Sequence, residues 1–206
     1  PGFGGSCFKK DILNLVYLAE YFGLKEVANF WESVVEINNW HQNRISEIVV
    51  KKLFGTVAKK KLVILGFAFK ANTNDTRESA AINICKNLLN EGANLLIHDP
   101  KVTASQIEND LKINPTKFLD NSNSSINEKS GRWEHSKSIN NLEIFNNAYA
   151  VIILTEWEEF RKLNWAKIAK KMIPPAWVFD SRSIVNIEEV RDAGLNLWRL
   201  GDGLGD

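Results

Sequence analysis

The first part of the chain repeats apolar residues at helical spacing. Residues 12–22 are apolar on nearly every side, which predicts a buried helix that ends at Gly23. Residues 25–54 carry apolar side chains at steps of three and four, and they predict one long helix with a kink at Asn38 and Asn39. A long helix with a broad apolar stripe is typical of one that buries the stripe against more than its own small domain.

Beyond residue 58, short apolar runs alternate with amphipathic segments. The short runs predict strands at 62–65, 94–97, 150–154, 176–179 and 195–200, the last at a sheet edge. The amphipathic segments predict helices at 79–90, 103–111, 139–147, 160–172 and 186–193, with Thr103 and Asn186 as N-caps. The polar stretch 121–138 predicts a loop in which only Trp133 suggests docking. The alternation predicts an α/β fold: a helical segment followed by a doubly wound, mainly parallel sheet.

Composition limits the possible classes of protein. The chain has 206 residues, 44% of them apolar, which suits one or two globular domains, and the change of pattern divides it into 1–57 and 58–206. A net charge of +1 gives no electrostatic case for nucleic acid or a membrane surface, and no stretch approaches the roughly 20 apolar residues of a membrane span. The two cysteines, Cys7 and Cys85, form neither a disulfide framework nor a metal cluster, which favours a cytoplasmic location and no metal.

The glycine-rich segment 1–11, PGFGGSCFKKD, carries the main candidate for chemistry. Its glycines leave room for a ligand beside the main chain, and Ser6 or Asp11 is the predicted N-cap of the helix that follows. The helix dipole and the two lysines after Cys7 favour the thiolate, the nucleophilic form of this cysteine. The alternative is an ordinary core thiol in a glycine-rich turn.

Polar side chains follow four predicted strands, at the carboxyl ends where ligands of open parallel sheets bind. They are Lys70 after Phe69, Asp99, Thr155 with Glu156, and Asp180 with Arg182. Lys70 and Arg182 are candidate anion anchors, the arginine as a planar fork suited to phosphate, although surface charge at loop ends is the alternative. The turn GFAFKA lacks the G-x-G-x-x-G fingerprint of a dinucleotide site.

Five segments in the same order resemble the UDP-glucose dehydrogenases of the UDP-glucose/GDP-mannose dehydrogenase family. They are GFGGSCFKKD, LGFAFKANTNDTRES, HDPKV, LTEWEEF and FDSR. The resemblance implies a Rossmann-like UDP-sugar-binding domain at 58–206 and a long helix that connects the core of a homodimer or larger homo-oligomer. Because the family carries an N-terminal NAD-binding domain ahead of this loop, the chain is expected to be the C-terminal portion of a larger enzyme, or a truncated product.

The same resemblance implies roles for individual residues. Cys7 matches the nucleophile that forms a thiohemiacetal and then a thioester at the sugar C6, and Asp11 matches the acid that positions or activates water. The matching sugar and nucleotide contacts are Phe3, Gly4, Phe8, Phe69, Lys70 and Arg182. Arg77 matches an arginine that reaches the cofactor. Two of these residues have plainer alternatives: Asp11 as a helix cap, and Arg77 as the partner of Asp75 or Glu78.

Three functions remain open at this point. The resemblance favours an NAD-dependent UDP-glucose 6-dehydrogenase that makes UDP-glucuronate. The second possibility is another nucleotide-sugar substrate, GDP-mannose or a UDP-N-acetylhexosamine. The third is a non-enzymatic module that binds UDP-sugar and dimerises, which is the expectation for the chain taken alone.

Overall fold

The first two helices pack against each other and are joined by a short turn at Gly23. The computed structural model describes residues 1–114, 131–140 and 142–203. Helix α1 spans Phe8–Tyr21 and helix α2 spans Lys25–Lys52. The prediction that α1 is buried is wrong, because α1 packs along α2 and buries only Ile12, Val16 and Ala19.

Many large apolar side chains of this helical pair therefore face outward. Those at least two-fifths exposed on or between α1 and α2 include Tyr17, Tyr21, Phe22, Phe30, Ile37 and Trp40. We call these residues the outer helical surface. Exposed apolar side chains that form a large patch are typical of interaction sites. Among the described helices, none is both long enough and apolar enough to cross a bilayer.

Helix α2 is continuous for 28 residues and passes through Asn38 and Asn39, the predicted place of a kink, without a break in the helix. Asparagine inside a helix costs only a few tenths of a kcal/mol, roughly, when its side chain does not compete for the helix backbone. The Asn38 side chain is instead bonded to the main chain of Phe3. Lys60 stabilises the far end of the helix, since its Nζ donates to the carbonyl oxygens of Leu53 and Thr56 at 2.6 and 2.8 Å.

The rest of the chain alternates strands and helices. The strands are β1 Lys61–Leu65, β2 Asn94–His98, β3 Arg132–Ser136, β4 Ala148–Ile153, β5 Trp177–Asp180 and β6 Asn196–Arg199. The helices are α3 Ala80–Asn90, α4 Ala104–Leu111, α5 Glu158–Arg161, α6 Trp165–Ala169 and α7 Ile187–Asp192, with a 3₁₀ turn at Leu142–Phe145. Thr103 and Asn186 cap α4 and α7 as predicted, Thr103 within a capping box.

The six strands form one sheet in the order β3-β2-β1-β4-β5-β6, and every pair is parallel. The predicted α/β fold with a doubly wound parallel sheet is confirmed. The order reverses between β1 and β4, and the crevice outside the carboxyl ends of these two strands is where such sheets bind ligands. The central strands are almost wholly buried, which explains their unbroken apolar runs.

One predicted loop contains a strand. Residues 132–136 of the stretch 121–138 form β3, and Trp133, read as the docking residue of a loop, is fully buried in it. Its indole N–H donates to the carbonyl oxygen of Ile113 at 2.7 Å. Residues 121–130 of this prediction lie outside the described residues, whereas Gly131, Lys137 and Ser138 belong to neither a helix nor a strand. The helix predicted at 139–147 is reduced to the 3₁₀ turn.

Candidate functional site

The loop before α1 lies directly on the connection between β1 and α3. The Gly5 N–H donates to the carbonyl oxygen of Arg77 at 2.9 Å, and the Lys9 ammonium pairs with the Glu78 carboxylate at 2.7 Å. The structure thus brings the segment that carries Cys7 against the segment that carries Phe69, Lys70 and Arg77. These two segments are far apart in the sequence, and their proximity supports a single site.

Glycine is needed where the two segments touch. A Cβ atom on Gly4 would lie 2.3 Å from the carbonyl oxygen of Glu78 and 3.2 Å from Cβ of Phe69. Gly5 has a φ of +89°, and a Cβ there would lie 2.9 Å from the Phe69 ring. The glycines therefore serve a close contact within the protein, in addition to any room they leave for a ligand.

Cys7 stands at the start of α1 and is exposed. The helix begins at Phe8 with Cys7 itself as the N-cap residue and without a side-chain cap bond, so the prediction of Ser6 or Asp11 as cap is wrong. The Ser6 hydroxyl lies 3.5 Å from the Cys7 sulfur. Asp11 is exposed one helical turn away, and its N–H donates to the Cys7 carbonyl oxygen at 2.9 Å.

Two phenylalanines flank this cysteine. The rings of Phe3 and Phe8 meet edge to face, with centroids 4.7 Å apart. Phe8 is 53% exposed and Phe3 is partly buried, so the pair forms an apolar wall whose outer side remains open. Of the candidate sugar contacts, these two and Gly4 come with the cysteine loop.

Arg77 is held by a carboxylate two residues earlier. Its Nε and Nη2 donate to the two oxygens of Asp75 at 2.9 and 2.7 Å, and its main-chain N–H adds a third bond to Oδ1 at 3.0 Å. These bonds to Arg77 lower the pKa of Asp75, and the Asp75 carboxylate in turn raises the pKa of Arg77. The plainer reading, an Arg77–Asp75 pair, is thus present, but the arginine side chain is 69% exposed and can still meet a ligand.

Arg182 connects the carboxyl ends of three elements. Its Nε donates to the carbonyl oxygen of Leu154 at 2.8 Å, and its Nη2 donates to that of Phe69 at 3.0 Å. The Glu156 carboxylate lies 3.2 Å from Nε, and its other oxygen accepts from the Ala71 N–H at 3.3 Å. Burial lowers the pKa of the Arg182 guanidinium, against the opposing effect of Glu156.

Phe69 and Lys70 lie beside this arginine in the connection after β1. Lys70 is exposed, and its ammonium stands 5.3 Å from the centre of the Phe69 ring. Since the Phe69 carbonyl is bonded to Arg182, the lysine, the ring and the guanidinium belong to one strand-end cluster. This cluster pairs cationic groups with an apolar surface, a combination suited to a base or sugar that carries phosphate.

Two other strand-end acids are structural. Asp99 is buried and accepts N–H bonds from Phe67, Ala68, Lys101, Val102 and the Trp157 indole at 2.7–3.1 Å. Asp180 likewise accepts from the main chains of Arg182, Ile184 and Val185. Buried carboxylates that accept several main-chain N–H bonds hold loops in place. Sequence reasoning placed these acids at the right edge of the sheet and missed their role.

The connection after β1 does not form a dinucleotide cradle. A Cβ on Gly66 would lie 2.4 Å from Cβ of Thr155, so this glycine makes room for a neighbouring side chain and not for a pyrophosphate. Helix α3 begins only at Ala80, so its N-terminus does not directly follow the strand. Within the described ranges, no group of three histidine, cysteine or acidic side chains could hold a metal ion.

Comparisons with known proteins identify the family of the chain. Residues 63–187 match the model of the UDP-glucose/GDP-mannose dehydrogenase family, UDP binding domain, and residues 1–40 match that family's central domain. "UDP-glucose 6-dehydrogenase 4" of Arabidopsis thaliana is 43% identical over 209 residues, which cover 98% of this chain and 42% of that protein. "UDP-glucose 6-dehydrogenase 1" of Oryza sativa subsp. japonica is 44% identical with the same coverage.

A solved structure shares the fold. A UDP-glucose dehydrogenase from the hyperthermophilic archaeon Pyrobaculum islandicum superposes with a TM-score of 0.66 at 24% identity, over 96% of this chain and 38% of that one. At 24% identity this similarity shows the fold alone. The chain spans about two-fifths of the length of the curated relatives it matches. By its matched domains and its relatives, the chain belongs to the UDP-glucose/GDP-mannose dehydrogenase family.

Proposed function

We propose that this chain is the substrate-binding part of an NAD-dependent UDP-glucose 6-dehydrogenase, which oxidises UDP-glucose to UDP-glucuronate. The observation that carries the proposal is the docking of the Cys7 loop on the connection after β1, through the Gly5 N–H and the Arg77 carbonyl. This contact sets a thiol beside the cationic strand-end cluster. A nucleophile next to a phosphate-binding surface suits a substrate that carries both a sugar and a diphosphate.

Cys7 is the proposed nucleophile. Oxidation of a primary alcohol to a carboxylate removes two hydrides from C6, and NAD is the acceptor that supplies this chemistry. Between the two removals the Cys7 sulfur bonds to the aldehyde carbon, and the carbonyl oxygen takes up a proton, which gives a thiohemiacetal that cannot diffuse away. After the second removal, water displaces the sulfur from the thioester, so the carboxylate leaves and the thiol is restored.

Asp11 is the proposed group that positions the attacking water. It lies one turn from Cys7 on α1, is exposed, and in the described structure has no cap role, since Cys7 occupies the N-cap. A carboxylate in that place can accept a hydrogen bond from water as the thioester is hydrolysed. Phe3, Gly4 and Phe8 would surround the sugar, while Phe69, Lys70 and Arg182 would hold the uridine diphosphate.

The described residues do not fit the role of principal NAD site, because the turn after β1 is filled by Thr155. The proposed contact of this chain with the cofactor is Arg77, whose guanidinium side chain is 69% exposed. The main dinucleotide site is assigned to the part of the enzyme outside this chain.

We also propose that the protein is a homodimer or larger homo-oligomer. The outer helical surface exposes aromatic side chains over both helices, and a second copy would cover them. Sedimentation at micromolar concentration tests this: a strictly monomeric species would contradict it.

Calorimetric titration of the chain with UDP-glucose, UDP and GDP tests the substrate. Binding of the uridine ligands, weakened by Lys70→Ala and Arg182→Ala and unchanged by the surface variants Lys170→Ala and Arg191→Ala, is the expected result. Preference for GDP would favour GDP-mannose as substrate, and tighter binding of a UDP-N-acetylhexosamine would favour that sugar. Absence of any binding would leave the chain only an assembly role.

A further inference from the structure

Helix α2 carries a row of buried polar side chains that its apolar stripe does not explain. Asn38, Gln42 and Ser46 follow one another at four-residue spacing, and they are 7%, 3% and 4% exposed. Residues spaced by four lie on the same face of a helix. Buried polar groups are costly unless they are hydrogen-bonded, so the partners of this row show what the face is for.

Two members of the row tie α2 to the sheet domain. The Gln42 Oε1 accepts from the Asn83 amide at 2.6 Å, and the Ser46 hydroxyl oxygen accepts from the Asn87 amide at 3.1 Å. Asn83 and Asn87 lie on α3, which packs against the sheet. These side-chain bonds fix the register of α2 against α3.

The third member, Asn38, reaches the cysteine loop instead. Its Oδ1 accepts from the Phe3 N–H at 2.8 Å, and its Nδ2 donates to the Phe3 carbonyl oxygen at 3.1 Å. The carboxamide thus satisfies both main-chain groups of one loop residue, as a neighbouring strand would. Gly2, with a φ of +91°, allows this approach, because a Cβ there would lie 2.3 Å from the Asn38 Oδ1.

We infer that Asn38 is a positioning residue for the loop that presents Cys7. The loop is held on both sides of Gly4: at Phe3 by Asn38, and at Gly5 by the Arg77 carbonyl. Helix α2 is itself hydrogen-bonded to α3. The two attachments therefore fix the position of Cys7 relative to the sheet that carries the strand-end cluster. The catalytic meaning of this role rests on the proposed function of Cys7.

A side chain that only fills space would behave differently from one that holds the loop by its bonds. Leucine at position 38 keeps the same branched shape, with bulkier methyl groups, but makes neither bond. Aspartate keeps the acceptor for the Phe3 N–H and turns a second oxygen toward the Phe3 carbonyl. If Asn38 positions the loop, the loop should be held best by asparagine, less well by aspartate and least well by leucine. If Asn38 only fills space, leucine should hold the loop as well as asparagine.

Residue-resolved amide hydrogen exchange of this chain separates the two roles. The reporter is the Gly5 N–H, which bonds to Arg77 and not to Asn38. We expect Asn38→Leu and Asn38→Ala to speed exchange at Gly5 by about tenfold, and Asn38→Asp by less, because the loop loses one of two attachments. The matched control is Asn39→Ala, an exposed asparagine on the same helix, which leaves Gly5 unchanged. Amides of β1 keep their protection in every variant.

Three results would overturn the inference. The Gly5 amide could be as well protected in Asn38→Leu as in the wild type, or its exchange could be unchanged in every variant. The amides of β1 could also lose as much protection as the Gly5 amide. The complete enzyme then separates this role from the proposed function. Turnover retained by Cys7→Ser would refute the nucleophile and leave the exchange result on Asn38 standing. Turnover lost in Cys7→Ser, with Gly5 exchange unaffected by Asn38→Leu, would refute the positioning role alone.

Discussion

The main-chain N–H of Gly5 lies 2.9 Å from the carbonyl oxygen of Arg77, and this bond connects the main chains of the two halves of the candidate site. On one side is the loop with the exposed Cys7, and on the other is the connection with Phe69 and Lys70. Because the contact is between main chains, it depends on backbone shape and on the absence of side chains at the glycines. Displacement of either segment is therefore expected to disturb both the thiol and the nucleotide contacts.

Gly4→Ala is expected to separate these segments. Its Cβ would meet the Glu78 carbonyl oxygen at 2.3 Å, so the loop must move, and a misplacement of about 1 Å at a reacting group lowers turnover by about 100-fold. The measurement is kcat of the complete enzyme, with Gly23→Ala as control. Gly23 has a positive φ and no atom within 4 Å of a new Cβ, so that variant costs about 1 kcal/mol of stability and leaves kcat unchanged. Normal turnover in Gly4→Ala would contradict the close docking.

Arg182→Lys is expected to weaken UDP-glucose binding by about tenfold, although the charge is kept. The guanidinium bonds to the carbonyl oxygens of both Leu154 and Phe69, and a single ammonium cannot reproduce that fork. Calorimetry of wild type and variant measures the difference. Arg191→Lys, an exposed arginine on α7, is the matched control and keeps wild-type affinity. Equal affinities for wild type and Arg182→Lys would remove Arg182 from the site.

The two cysteines are expected to differ in reactivity toward iodoacetamide. Cys7 is exposed, whereas Cys85 is fully buried, and burial raises the pKa of the Cys85 thiol. Mass spectrometry of the native chain should find label on Cys7 alone, and bound UDP-glucose should slow the reaction. Cys85→Ala leaves the labelling rate unchanged, and Cys7→Ser abolishes it. Similar slow rates at both cysteines would remove the case for an activated nucleophile.

The buried thiol also predicts how stability depends on pH. Since the pKa of Cys85 is raised in the folded chain, the unfolded chain loses this proton first, above its ordinary pKa of about 8.5. From there upward the free energy of unfolding falls by about 1.4 kcal/mol per pH unit, and below that pH the contribution is constant.

Denaturant unfolding at roughly pH 8, 9 and 10, from below to above the ordinary pKa of a thiol, measures this effect. The difference in unfolding free energy between wild type and Cys85→Ala should shrink as the pH rises, because the variant has no thiol to titrate. A difference that stays constant to pH 10 would mean that Cys85 titrates alike in both states.

Asp99→Asn is expected to lower the free energy of unfolding by about 2–4 kcal/mol. Both oxygens of Asp99 accept N–H bonds, so an amide nitrogen in either place would face donors. Asp192→Asn, an exposed carboxylate on α7, is the control and changes stability little. Unfolding curves measure both. A neutral effect of Asp99→Asn would restore Asp99 as a candidate for ligand contact.

Much of the fold followed from local pattern. The apolar runs at β1 and β4 and the cap residues Thr103 and Asn186 are short-range signals, and they located the sheet and two helices correctly. Burial of α1 did not follow, since periodicity shows which residues are apolar and not which neighbour covers them. The five-residue strand around Trp133 could not be predicted, because its other residues are polar and lack the apolar pattern of a buried strand.

The site was predicted in part. The residues of the Cys7 loop and of the strand ends were found from motif and resemblance. The role of Asn38 could not be predicted, because its partner is the main chain of Phe3, and a main-chain partner cannot be recognised from the sequence. Asp99 and Asp180 lie among the polar strand-end residues, as the sequence predicts, but their bonds to loop N–H groups are visible only in the structure.

The strand order has a consequence for how the chain reaches its native state. At the centre of the sheet β1 pairs with β4, although β2 and β3 intervene in the sequence. The strand that completes this central pair is therefore made late, and the loop that closes it is long and entropically costly. Until β4 pairs with β1, one edge of β1 has unpaired peptide groups and an exposed apolar surface that other unfolded molecules can bind. Refolding yield is thus expected to fall with protein concentration, and β4 is the segment whose early availability would protect it.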